Sequence, residues 1–190
     1  MGVKEEFERI ARREISRPGI EKLLDWLEST DFYTAPASSR YHGAFEGGLA
    51  MHSLNVYQRL TELDEIFSED LDTPISQESI AIVALFHDLC KVGYYVVSTR
   101  NVKNEKTGQW EKVPYYKKQE QFPFGGHGSK SVYLVQHFVP LEPEEAAAIN
   151  CHMGPWDRQD YGNPGEVFEN NRLAWLLHVA DEAATYIDKT

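Results

Sequence analysis

Histidine and aspartate recur along this 190-residue chain in segments that could together build a metal centre. The densest is the adjacent pair His87-Asp88, which follows directly on the apolar run from Ile80 to Phe86. Ionisable groups in so apolar a setting need partners, because burying an unpaired charge or an unbonded polar group is costly. Four further positions, His52, His127, His152 and Asp181, offer the same donor types from separate segments. Imidazole and carboxylate suit divalent Mn, Fe, Ni, Co, Zn or Mg, and several of them on packed helices can hold one or two ions. A carboxylate next to a histidine can bridge two ions while neighbouring helices each supply one histidine. The chemistry such a centre serves is attack by metal-activated water on phosphorus, since the ions acidify and orient the water and neutralise charge on the phosphoryl oxygens.

The periodicity of the chain shows what must carry these residues. Phe7, Ile10, Ala11 and Ile15 stand at helical spacing before Pro18, and Ile20, Leu23, Leu24 and Leu27 continue the pattern, which predicts two short helices or one kinked one. The stretch from Asp31 to Gly48 is rich in Ser, Ala, Pro and Gly and leads into a helix from about Leu49 to Leu63, with His52 in its first turn. From Ser76 to about Lys91 the almost wholly apolar sequence predicts one buried helix that carries His87, Asp88 and, one turn later, Lys91. Between Gly93 and Phe124, YYVVSTRNV and QWEKVPYYK flank the turn-forming KNEKTG, the pattern of a β-hairpin. Helices resume over about His127–Phe138, Pro143–His152 and Asn170–Ile187, with a loop from Gly154 to Glu166. The expectation is a mainly α single domain, a bundle of about seven helices with a β-hairpin inserted at about 94–118.

Composition narrows the setting. The 30 acidic and 19 basic side chains give a formal net charge of −11, which disfavours indiscriminate binding to polyanions. The region from Tyr94 to Lys130 is the exception: Arg100, Lys103, Lys106, Lys112, Lys117, Lys118 and Lys130 outnumber Glu105, Glu111 and Glu120. The two cysteines, Cys90 and Cys151, sit in apolar segments as small core residues, so a disulfide scaffold is not expected and a reducing, cytoplasmic setting is. The charged start MGVKEEFERIARRE is unlike a signal peptide, and no apolar run approaches the roughly 18 to 20 residues of a membrane span, so no membrane partner is expected.

The local contexts GGLAMHS, ALFHDLCK, GGHGSKS, INCHMG and HVADEA, in that order, resemble the HD-domain superfamily of metal-dependent phosphohydrolases from about Tyr41 to Tyr186. YHGAFEGGLAMHS further resembles small bacterial and phage HD hydrolases and the HD domain of a 3'-5' exoribonuclease family. The resemblance implies an HD domain over residues 41–190, with N-terminal helices in 1–40 packed on it. It implies that His52, His87, Asp88 and Asp181 hold a first ion, and that His127, His152 and a bridging Asp88 hold a second. This chain has Cys151-His152 where some dinuclear relatives read His-His. Asp88 and Lys91 are the expected catalytic residues, with Lys91, the lysine of the HDxxK pattern, near the bound phosphate or paired with a carboxylate. The implied substrate is a phosphomonoester or phosphodiester of a nucleotide or short nucleic acid. Diiron oxygenases on the same scaffold, and a non-catalytic nucleotide-binding module, are the alternatives.

His42 in its glycine-rich loop, Arg100 on the hairpin and Trp156 after His152 are the candidates for substrate contact. Set against them, a loop histidine, a solvated basic ribbon and a packing aromatic are the ordinary roles of such residues. His178, three residues before Asp181, reads as a satisfied core histidine, with support of Asp181 as the other role; His137 has no motif around it.

Overall fold

The computed structural model describes residues 2–70, 74–120, 122–156 and 164–189. Eight α-helices and a single hairpin, with short 3-10 and π turns beside them, make up its regular structure among these residues: α1 (Val3–Glu14), α2 (Ile20–Glu28), α3 (Gly48–Phe67), α4 (Gln77–Phe86), β1 (Tyr95–Lys103), β2 (Trp110–Lys118), α5 (His127–Gln136), α6 (Pro143–Cys151), α7 (Pro164–Asn170) and α8 (Arg172–Ala183). The fold is mainly helical, as the periodicity predicts. Helices α1 and α2 are separate, broken at Ser16–Gly19, and α7 occupies ground the sequence assigns to the start of a helix and the end of a loop. The middle of that loop, residues 157–163, lies outside the described residues.

Helix α4 is the axis of the bundle. Every residue from Ile80 to Phe86 is fully buried, because α4 has helices on all sides rather than one apolar stripe. One side packs into a core with Phe7, Leu23, Leu27, Phe32 and Leu49 from the N-terminal half. The other packs with Val56, Leu60, Ile149, Leu173 and Leu177 from α3, α6 and α8. Phe7 meets Phe32 and Phe86 edge-on at ring separations of 5.0 and 5.8 Å, which ties α1 to the end of α4.

Polar bonds fix the remaining ends. Arg17 reaches across to Glu145 of α6 with two bonds of 2.5 and 2.7 Å and also donates to the Pro140 carbonyl. Helix α5 lies so close to α6 that a Cβ added at Gly128 would stand 2.2 Å from the Asn150 carbonyl oxygen. Ser129 Oγ donates to Asn150 Oδ1 beside that contact. The hairpin is antiparallel with Tyr95 opposite Lys118 and Lys103 opposite Trp110.

One element differs from the expectation in a way that matters. The segment from Ser76 to Lys91 is not a single α-helix: α4 ends at Phe86, and Leu89–Lys91 is a turn of 3-10 helix. His87 keeps helical dihedrals (φ −56°, ψ −33°), but Asp88 departs from them (φ −105°, ψ 19°), and the Lys91 and Val92 amides bond three residues back, to Asp88 and Leu89. Hydrophobic pattern alone does not mark this stop, because Leu89 and Cys90 are as buried as the helix before them.

Candidate metal centre

Helices α3, α4, α6 and α8 each bring a polar side chain to one buried point. His52 comes from the second turn of α3, His87 and Asp88 from the end of α4, His152 from the end of α6 and Asp181 from α8. The three histidines are wholly buried, Asp88 is 2% exposed and Asp181 8%. His52 Nε2 is 3.0 Å from Asp181 Oδ1 and 3.8 Å from Asp88 Oδ2. His87 Nε2 is 3.5 Å from Asp88 Oδ2 and 4.0 Å from Asp181 Oδ1, and His152 Nε2 is 3.6 Å from Asp88 Oδ1. The ligand atoms of His52, His87 and Asp181 lie within 4.8 Å of one another, and so do those of His87, Asp88 and His152.

The backbone aims two of these rings. His87 Nδ1 bonds the Ala84 carbonyl at 2.9 Å, and His152 Nδ1 bonds the Ile149 carbonyl at 2.7 Å. A carbonyl only accepts, so Nδ1 carries the proton in both, and each Nε2 presents a lone pair inward. Both Nε2 atoms are buried with no hydrogen-bond partner among the described residues. Buried nitrogens with free lone pairs beside two carboxylates are a donor set that suits a divalent cation and little else. The residues fit the group.

The charges agree. Burial alone would raise the Asp88 carboxyl, yet the Lys91 ammonium holds it well below the usual carboxylate range. Burial likewise opposes ionisation of Asp181, and the contact with His52 Nε2, 3.0 Å away, overcomes it. Burial would lower Lys91, but Asp88, 2.5 Å away, keeps it charged. Lys91 is thus a carboxylate partner of Asp88, and it also lines the open side of the site.

That open side is a cavity of about 460 Å³ whose walls include His42, Tyr41, Tyr95, Lys118, His127, Trp156, Glu182 and Tyr186. A larger hollow of about 520 Å³ between α1 and α3 carries no such chemistry; its Arg9 and Arg13 are taken up by Glu6 and Glu14. His42 stands 5.0 Å ring to ring from His52, and burial, then the charges of His52 and Lys91, push it down to about 4, so it is neutral at pH 7. Trp156 is on the rim, 66% exposed. Arg100 does not reach this cavity; it lies farther out on the hairpin with its guanidinium 5.5 Å from the Tyr115 ring.

His127 belongs to neither ligand group. It begins α5 at the cavity wall, with Nδ1 3.3 Å from Cys90 Sγ. Burial, then the Asp88 charge, push the Cys90 thiol up to about 12, so it remains protonated. His178 bonds the His152 carbonyl at 2.7 Å and stacks on Phe168, steadying the ligand-bearing turn of α6 rather than Asp181. Gly154, in the left-handed region at φ 53°, leaves room for that ring: a Cβ there would be 2.8 Å from it. Tyr41, Tyr95, Glu182 and Tyr186 are cavity residues that sequence reasoning passed over. Tyr41 and Glu182 stand inside the motif text YHGAFEGG and HVADEA, which is the signal that could have found them.

A mainly helical bundle with imidazoles and carboxylates buried at the floor of an open cavity is an arrangement that could hold a divalent metal. The HD domain model matches residues 49–186, and the chain belongs to that family, whose members are in general metal-dependent hydrolases acting on phosphate esters. Neither the curated proteins nor the solved structures give a significant match. No helix among the described residues is long and apolar enough to cross a membrane.

Proposed function

We propose that this chain hydrolyses a phosphate ester of a nucleotide or short oligonucleotide, with a divalent metal held by His52, His87, Asp88, His152 and Asp181. The observation that carries this reading is the pair of inward-facing, unpartnered Nε2 atoms of His87 and His152 on either side of Asp88, at the floor of a cavity. A divalent ion held there would supply an acidified water and neutralise charge on the phosphoryl oxygens. The chain's own residues do the rest. Asp88 stays anionic between three histidines, so the site carries the negative charge a cation requires. Lys91 and Lys118 put ammonium groups on the cavity wall where phosphoryl oxygens arrive. Neutral His42 offers a buried Nδ1 with no partner among the described residues, a hydrogen-bonding group for the ester rather than a charge. Tyr41 and Trp156, both largely exposed on the rim, give flat faces for a base.

The test is metal analysis of the purified protein followed by a substrate screen with Mn, Fe, Ni and Mg. Bound metal together with release of phosphate or nucleoside from mononucleotides, dinucleotides or short RNA in anaerobic buffer is the expected result. Oxygen consumption by the iron form without phosphate release, or tight nucleotide binding without turnover under every metal, would overturn it.

A further inference from the structure

Beyond the catalytic cavity, the loop 37–44 and the hairpin enclose a second hollow of about 340 Å³, lined by Arg40, Val97, Arg100, Pro114, Tyr115 and Tyr116 among others and by no carboxylate. Its two arginines differ from most of those on the helices. Arg9, Arg12, Arg13 and Arg59 each hold a carboxylate, whereas Arg40 and Arg100 form no ion pair with any described residue. In a chain of net charge −11, two arginines lining one space without an ion-pair partner among the described residues make a local anion site.

The two hollows share their walls in the same order. Tyr95 and Lys118 face each other across the hairpin and line the catalytic cavity; two residues farther along, Val97 faces Tyr116, and this pair lines the second hollow. The loop also serves both, giving Ser38, Tyr41 and His42 to the catalytic cavity and Ser39 and Arg40, which stand between them, to the outer one. Two residues of strand span about 7 Å, close to the step from one phosphate to the next along an extended nucleic-acid strand. Tyrosine faces beside guanidiniums are the pairing that holds single strands without reading their sequence.

We infer that this outer hollow is a subsite for the adjoining nucleotide of the substrate, with Arg40 and Arg100 on its phosphate and Tyr115 or Tyr116 against its base. The inference rests on the proposed function and sharpens it: the preferred substrate is a single-stranded oligonucleotide and not a mononucleotide.

The experiment measures binding of a fluorescent single-stranded tetranucleotide to the full chain, beside Mn-dependent hydrolysis of bis(p-nitrophenyl) phosphate, an ester too small to span both hollows. The double variant Arg40→Gln/Arg100→Gln should weaken tetranucleotide binding by about tenfold or more and leave turnover of the small ester unchanged. Tyr116→Ala should weaken binding by about fivefold, with circular dichroism verifying that the hairpin variants remain folded. Unchanged tetranucleotide binding in the double variant would overturn the subsite. So would an equal loss in Lys106→Gln at the hairpin tip, or displacement of the tetranucleotide by tripolyphosphate as readily as by unlabelled oligonucleotide. Hydrolysis of the small ester without arginine-dependent binding defeats the subsite alone. Arginine-dependent binding with no ester cleaved under any metal defeats the proposed hydrolysis and leaves the subsite standing.

Discussion

Helices α4 and α6 end in the same way and then diverge. Each finishes one residue before a histidine that keeps helical dihedrals, bonds its Nδ1 to the carbonyl three residues back and turns its Nε2 into the centre. After His87 comes Asp88, buried and held ionised by Lys91; after His152 comes Met153. One helix end therefore delivers an inward-facing imidazole and an anion, the other an imidazole alone. The difference ranks the two ends: His87 belongs to both potential ligand groups and His152 to one, and Asp88 is the group that all three histidines approach.

Substitutions can break that ranking. Asp88→Asn keeps the shape and removes the charge, so bound metal should be lost and turnover should fall by about a thousandfold; metal analysis and initial rates on the same preparation measure both. Retention of metal-dependent hydrolysis would refute the central place given to Asp88. The two histidines come next. His87→Ala should leave no bound metal, whereas His152→Ala leaves the His52–His87–Asp181 group intact and should retain metal with affinity reduced by about 10- to 100-fold. Equal losses at both positions would erase the distinction between the helix ends.

Two further changes test what supports each end. Gly128→Ala pushes a methyl group into the Asn150 carbonyl beside the end of α6, and unfolding in urea should show a loss of about 1 to 3 kcal/mol. The smallest effect belongs to the far end of α4, where the Glu78 carboxylate accepts from the Ser16 amide, the Ser16 hydroxyl and the Arg17 amide. Burial opposes its ionisation, but these bonds and the Arg17 charge hold its pKa below the ordinary value. A depressed folded pKa gives stability that is present above the unfolded value of about 4.3 and is lost as the pH falls through the folded one. Glu78→Gln should therefore cost about 1 kcal/mol at pH 7, and its melting temperature should converge on that of the parent as the pH is lowered past 4.

Much of the bundle is legible in the sequence because helical periodicity is a local property. Phe7 to Ile15, Ile20 to Leu27 and Ile80 to Phe86 announce their helices without reference to one another. The ligand types are legible for a related reason: an ionisable pair directly after seven apolar residues has to be explained by something. What escapes is the stop after Phe86, since it is made by a side chain capping a carbonyl and not by glycine or proline. The standing of His127 escapes too. It shares its residue type and motif setting with His152, but it opens a helix whereas His152 closes one, and its Nδ1 meets a thiol instead of a backbone carbonyl. Arg100 shows the same limit, for its distance from the cavity depends on hairpin register, which composition does not encode.

The imidazole-to-carbonyl bond at the ends of α4 and α6 has a consequence for how the site is assembled. A helix C-terminus leaves its last carbonyls without partners, and here the side chain that answers one of them is the side chain that is aimed. Ending the helix and orienting the donor are a single act, complete when the polypeptide folds. The two imidazoles are thus oriented by the scaffold's own hydrogen bonds, so the protein treated with a chelator should keep its helical circular dichroism, in contrast to small zinc domains that fold only around their ion.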